Sequence, residues 1–189
     1  MNLTSRMLTA GALLVALAGC ATSADDASPS PTTAPQMVMP VDTAVVAVTV
    51  TRPTDPTPVD PSSLPPTARG VSQMTSLGAD EKACAESAIA ATLDRDPTIA
   101  EANGKVAGVM GGAVVACTTP ERVGDILVET LGPEGGALAE PAAGCVRSVV
   151  LANPSVAANF LASVFTTDPA VVMSAAQPFA DRCSVDLDS

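Results

Sequence analysis

Five cysteines, twenty carboxylates and no histidine bound the chemistry open to this 189-residue chain. Cys20 stands by itself near the start. Cys84, Cys117, Cys145 and Cys183 follow at intervals of 33, 28 and 38 residues. Zinc sites use closely spaced cysteine pairs or histidine, and there is no CxxC here. Four well-separated cysteines in an exported domain are instead expected to form two disulfides. Without histidine, neither Ser-His-Asp nor Cys-His machinery can be assembled. The glycine-rich stretch from Gly132 to Gly136 lacks the lysine and preceding strand of a phosphate loop. Asp94-Arg95-Asp96 and the acidic residues from Asp181 to Asp188 do not match the loop spacing of a calcium hand. They read as solvated helix ends and a tail. Two carboxylates can hydrolyse glycosides, but sugar sites usually offer aromatic platforms, and Trp and Tyr are absent. The expectation is a protein that is not an enzyme, with no cofactor and no metal.

The amino terminus carries the clearest pattern. Arg6 and the free amine make a positive end, and Met7 to Ala18 is apolar or small throughout except for Thr9. That run has the length of an export signal's apolar core and is too short to span a bilayer as a mature helix. It ends in Leu17-Ala18-Gly19-Cys20, which resembles the lipobox of bacterial lipoproteins over these first twenty residues. The resemblance implies that residues 1–19 are a signal peptide cut between Gly19 and Cys20. It also implies that the Cys20 thiol receives a diacylglyceryl group, with acyl chains such as palmitate. Small residues at 18 and 19 suit a narrow protease cleft. Two acyl chains anchor stably, at about 0.8 kcal/mol per buried methylene, where one chain is marginal. The expected location is the cell membrane, lipid-anchored on its extracytoplasmic side.

Formal net charge is −11, and becomes −12 once Arg6 leaves with the signal peptide. Such a chain repels nucleic acid and anionic headgroups, so no nucleic-acid partner is expected. The Ala, Val, Gly and Pro bias resembles exported lipoproteins of high-GC Gram-positive bacteria.

Residues 20–69 read as a lipidated, Pro/Ser/Thr-rich disordered linker. Ten of the seventeen prolines and thirteen Ser or Thr lie within 21–66, where neither helix nor ladder is favoured. As a random coil such a tether spans about 40 Å, and fully extended about 140 Å. One stretch departs from this. From Val41 to Thr51, Val46, Val48 and Val50 alternate with Ala47, Thr49 and Thr51, a strand pattern with no ladder partner. It reads either as an apolar piece of tether or as a segment that adds to a partner's sheet edge.

Residues 70–189 form the expected folded domain, all-α, a small disulfide-stapled bundle of about six short helices. Asp96-Pro97, Thr119-Pro120, Glu140-Pro141, Asn153-Pro154 and Asp168-Pro169 each stop one helix and start the next, because proline at the first helical position gives up no bond. The predicted helices are 79–95, 97–117 (broken near Gly104), 119–131, 141–152, 154–166 and 168–182. Ala85, Ile89 and Leu93 form one apolar stripe; Val123, Ile126, Leu127 and Leu131 a second, stopped by Gly132; Val156, Phe160, Val164 and Phe165 a third. Gly104, Gly108 and Gly112 lie four apart in an apolar run. That run is too short for a membrane span, so it reads as a core helix whose glycines admit a neighbouring helix.

Cys84-Ala-Glu-Ser-Ala-Ile-Ala aligns with Cys145-Val-Arg-Ser-Val-Val-Leu, as though two helical hairpins were duplicated. Of the three pairings of four cysteines, hairpin geometry favours Cys84–Cys117 and Cys145–Cys183. The domain resembles secreted helical paired-cysteine domains of high-GC Gram-positive bacteria, which implies no activity. Two functions stay open. One is a non-catalytic interaction domain docking to an envelope protein with a basic face. The other is a carrier for an apolar small molecule. Oligomeric state is not read from the sequence.

Overall fold

The computed structural model describes residues 45–133 and 136–187. Residues 1–44, where the sequence predicts a signal peptide, a lipidated Cys20 and the start of a tether, lie outside the described residues. Seven α-helices form the bundle: α1 Gly70–Gln73, α2 Ala79–Arg95, α3 Asn103–Cys117, α4 Pro120–Thr130, α5 Ala142–Ala152, α6 Pro154–Val164 and α7 Pro169–Cys183. Single 3-10 turns precede them at Pro61–Ser63 and Pro66–Ala68, and another, Pro97–Glu101, sits between α2 and α3.

Proline and its preceding residue set most of these starts. Asp96 Oδ1 accepts from Thr98 N, Thr119 Oγ1 from Arg122 N and Asp168 Oδ1 from Ala170 N, each capping the turn that its proline opens. At Glu140-Pro141 the helix begins one residue later, at Ala142, and Glu140 Oε2 reaches forward to accept from Gly144 N. Glu81 Oε2 accepts from Gly78 N, holding the start of α2. The break predicted near Gly104 falls at Ala102, and what precedes it is a 3-10 turn, not α-helix.

At the centre lies α3, with ten of its fifteen residues buried. A helix apolar on all sides must be covered on all sides. It packs on α2 and most extensively on α6, while α4 pairs with α5 and α7 closes over α5 and α6. Phe160 and Phe179 meet edge to face at 5.7 Å between ring centres, anchoring α6 to α7. The third predicted stripe is shifted: Phe160 is buried, but Val164 is 38% exposed because α6 ends there, and Ala158, Leu161 and Ala162 carry the face toward the core.

Two disulfides staple the bundle as the hairpin argument expected. Cys84 bonds Cys117, tying the start of α2 to the end of α3, and Cys145 bonds Cys183, tying the start of α5 to the end of α7. The two halves are not alike, however. The first bridge closes a two-helix hairpin through a short turn. The second encloses three helices, because α6 occupies the place of that turn.

Residues 45–69, tether by composition, lie against the helices. Val50, Leu64 and Ala68 belong to the core, and the Arg69 guanidinium binds the carbonyls of Leu64 and Ser62 at 2.9 and 2.8 Å. Proline-rich composition excludes helices and ladders but does not exclude packing. Leu64 and Ala68 supply apolar area that the small helices leave uncovered.

Candidate binding groove

The site that emerges is a surface groove between α3 and α6, filled by an extended stretch of the chain's own backbone. Gly108 and Gly112 make its floor. Residues of α3 four apart share one face, so two missing Cβ atoms leave a shallow trough along the helix. Val46 to Val50 lies in it. A Cβ on Gly108 would stand 2.5 Å from the Val46 carbonyl oxygen, and one on Gly112 would overlap the Val48 carbonyl oxygen. No larger residue is compatible with this approach.

Two hydrogen bonds fix the register. Val48 N donates to Gly108 O at 3.0 Å, using the second lone pair of a carbonyl inside the helix. Ala47 N donates to Asn159 Oδ1 at 2.8 Å, from the α6 side. Both act on backbone groups and so read an extended conformation. Val48 and Val50 turn toward α3, Val50 into the core, while Val46 is 67% exposed.

The valine alternation from 41 to 51 thus finds a helix as its partner within residues 45–50, not a sheet. The glycine stripe also resolves differently from expectation. Gly108 and Gly112 admit the extended segment, and the close helix approach falls on Gly111. There a Cβ would come within 2.6 Å of Ala158 O and Ala162 N of α6. Gly104 has nothing within 4 Å of its missing Cβ.

Three clefts border the 45–50 segment. One of about 530 Å³ opens between Val46, Val48, Val115, Pro154 and Ala158. A second, about 220 Å³, lies between Val45, Asn159, Val171 and Pro178, and a third, about 340 Å³, between Val45, Gly104, Phe165 and Asp168. The first two are lined by uncharged residues alone. In the third, Asp168 is engaged in capping α7.

Three carboxylates stand on α4. Glu121 and Glu129 are exposed along α4, and between them Asp125 receives the Arg147 guanidinium at 2.8 Å, which also reaches Glu140 at 3.1 Å. The hydrogen bond to Asp125 above all holds Arg147 more firmly charged than usual. The Arg147 stem packs over Gly124, bringing α4 and α5 together. Arg122 similarly joins α4 to the loop before α2, donating to Ser76 O and lying 3.8 Å from Glu81.

Cys84, Cys117, Cys145 and Cys183 bind no ligand in this arrangement. They hold α3, the floor of the groove, to α2, and α7, which lines the cleft beside it, to α5. Cys20 lies outside the described residues. Among the described residues no group of three or more His, Cys, Asp or Glu is placed to hold a metal ion. Nor is any single helix there long and apolar enough to cross a membrane. Asn159 is the groove residue that sequence reasoning missed; its signal is an amide inside the apolar run of α6. No family model matches the chain, and no curated protein or solved structure shows significant similarity to it.

Proposed function

We propose that the chain is a lipoprotein anchored through Cys20 on the extracytoplasmic side of the cell membrane, and that its helical bundle is a non-catalytic interaction domain. The lipobox-like Leu17 to Cys20 supports the anchor. One observation carries the choice of a docking domain over a carrier for an apolar small molecule. The clefts beside residues 45–50 are open and share one surface, while Phe160, Phe179, Leu161 and Met110 fill the interior. A carrier would enclose its ligand.

The partner is an envelope protein with a basic face, meeting the carboxylates along α4. Residues 70–189 have a formal charge of −9, which favours such a partner and makes association sensitive to salt. The lipid anchor holds the domain near the membrane, which raises local concentration and helps a weak binder.

The experiment immobilises the mature chain and exposes it to native envelope extract at low and high salt, analysing bound proteins and bound lipids together. Retention of a protein that is released by salt is the expected result. One stoichiometric lipid with no retained protein at either salt would replace this reading with the carrier.

A further inference from the structure

Residues 45–50 lie in a groove built to their backbone. The Val48 bond to Gly108, the Ala47 bond to Asn159, the buried side chain of Val50 and the partial cover of Val45, Ala47 and Val48 hold them there. After it the chain runs exposed through Pro56 and Pro58 before meeting the core again at Val59 and Leu64. The helices themselves are closed by the two disulfides, neither of which involves this segment. Release of the segment therefore uncovers a ready trough without opening the bundle.

We propose that this trough is an exchangeable strand-binding site, and that a second copy of this chain supplies its residues 45–50 in trans to form a reciprocal strand-exchanged dimer. The occupant follows from complementarity on the page. The missing Cβ atoms of Gly108 and Gly112 fit the carbonyls of Val46 and Val48, and every copy carries both that strand and its receptor. Contacts made in trans equal those lost in cis, so exchange is opposed only by the freedom lost on association, and mass action brings the dimer forward as concentration rises. Each chain offers one strand and one groove, so two copies leave neither unfilled and the assembly closes with two-fold symmetry. The exposed stretch around 51–58 gives the strand its reach. This assembly uses a face other than the α4 carboxylates and does not depend on a basic partner.

The test mixes two differently tagged preparations of residues 20–189 carrying Cys20→Ser, at rising concentration, and reads tag co-purification and mass by light scattering. Wild-type chains should exchange tags and reach dimer mass. Val48→Pro removes the N–H that Gly108 accepts; Gly112→Val fills the place of the Val48 carbonyl. Each variant alone should lose tag exchange by about tenfold or more. Mixed together they should recover it, because the intact strand of Gly112→Val fits the intact groove of Val48→Pro. If Gly112→Val does not fold, the Val48→Pro chain is probed with a synthetic peptide of residues 43–52. Binding of that peptide, and its loss on N-methylation at Val48, supports the site. Wild type that stays monomeric without tag exchange overturns the proposal. So does exchange undiminished in both variants, or peptide binding indifferent to N-methylation. Salt-sensitive retention of an envelope protein would survive each of these failures, so the two readings fall separately.

Discussion

At the residue scale, the glycines of α3 do three different things within one helix. Gly111 is a contact point for α6, and a methyl there meets backbone atoms that cannot turn aside. Gly111→Ala should therefore destabilise by about 1–3 kcal/mol, outweighing the gain of about 1 kcal/mol in helix propensity. Gly104→Ala, with open space around it, should show that gain alone. Urea midpoints moving in opposite directions would verify the pair; a stabilised Gly111→Ala would show that α3 and α6 are not in close contact. Glu86 presents a different case. It is 7% exposed, and burial pushes its carboxyl above the ordinary value of 4.5, with Lys82 partly offsetting the shift. For an acid whose pKa rises on folding, the charged form is the costly one. Its contribution to stability is complete below about 4.5 and is lost as pH climbs through the raised value. Glu86→Gln should accordingly raise Tm at pH 7, and the advantage should vanish on acidification below pH 4.5.

Among the elements, short helices are made durable by cross-links. Among the described residues no helix exceeds 17 residues, and the buried apolar side chains are mostly Ala and Val. Each disulfide closes a loop of 33 or 38 residues, worth about 4 kcal/mol against the unfolded chain in the loop-entropy account. Replacing either pair by alanines should cost about that much in denaturant titration. Access distinguishes the two bridges. Cys84 and Cys117 are 3% and 4% exposed, whereas Cys145 is half-buried. Under mild reductant the Cys145–Cys183 bridge should open first, since the attacking thiolate must reach a sulfur atom. Mass mapping of alkylated peptides over time would reveal the order, and first opening of Cys84–Cys117 would contradict it.

On the scale of the whole molecule, two of the clefts beside residues 45–50 are lined by uncharged residues, while exposed carboxylates stand on α4 and also on α2 and α7. The segment entering the groove is the same one that leads back toward Cys20. If Cys20 carries the anchor, mass spectrometry of the mature amino terminus should find a diacylated cysteine at position 20. Cys20→Ala should then leave the chain unprocessed or released. An unmodified terminus beyond residue 20 would remove the anchor from the proposal.

The order of α2 to α7 and most of their starts were legible in the sequence because their causes are local; the four-residue α1 at Gly70–Gln73 was not expected. A cap and a proline act within one turn, so Thr119 and Asp168 mark their helices regardless of what packs nearby. Asn153-Pro154 starts α6 through its proline alone, and Asp96 caps a 3-10 turn ahead of α3. The Cys84–Cys117 bridge followed from the rule that the ends of a hairpin are neighbours. Cys145–Cys183 was the pairing expected, but α6 lies between its two helices, so tertiary packing and not a hairpin turn brings its ends together. The groove could not be read that way. Its floor, its reader and its occupant come from residues 108 and 112, 159 and 45–50, and a hydrogen bond from Ala47 to Asn159 spans 112 positions. Sequence alone showed that Gly108 and Gly112 invite a close neighbour and that Val46, Val48 and Val50 form an extended run seeking a partner. That each answers the other depended on how α3 rotates within the bundle, and α2 and α6 set this rotation by claiming the remaining faces of a helix that is apolar all round.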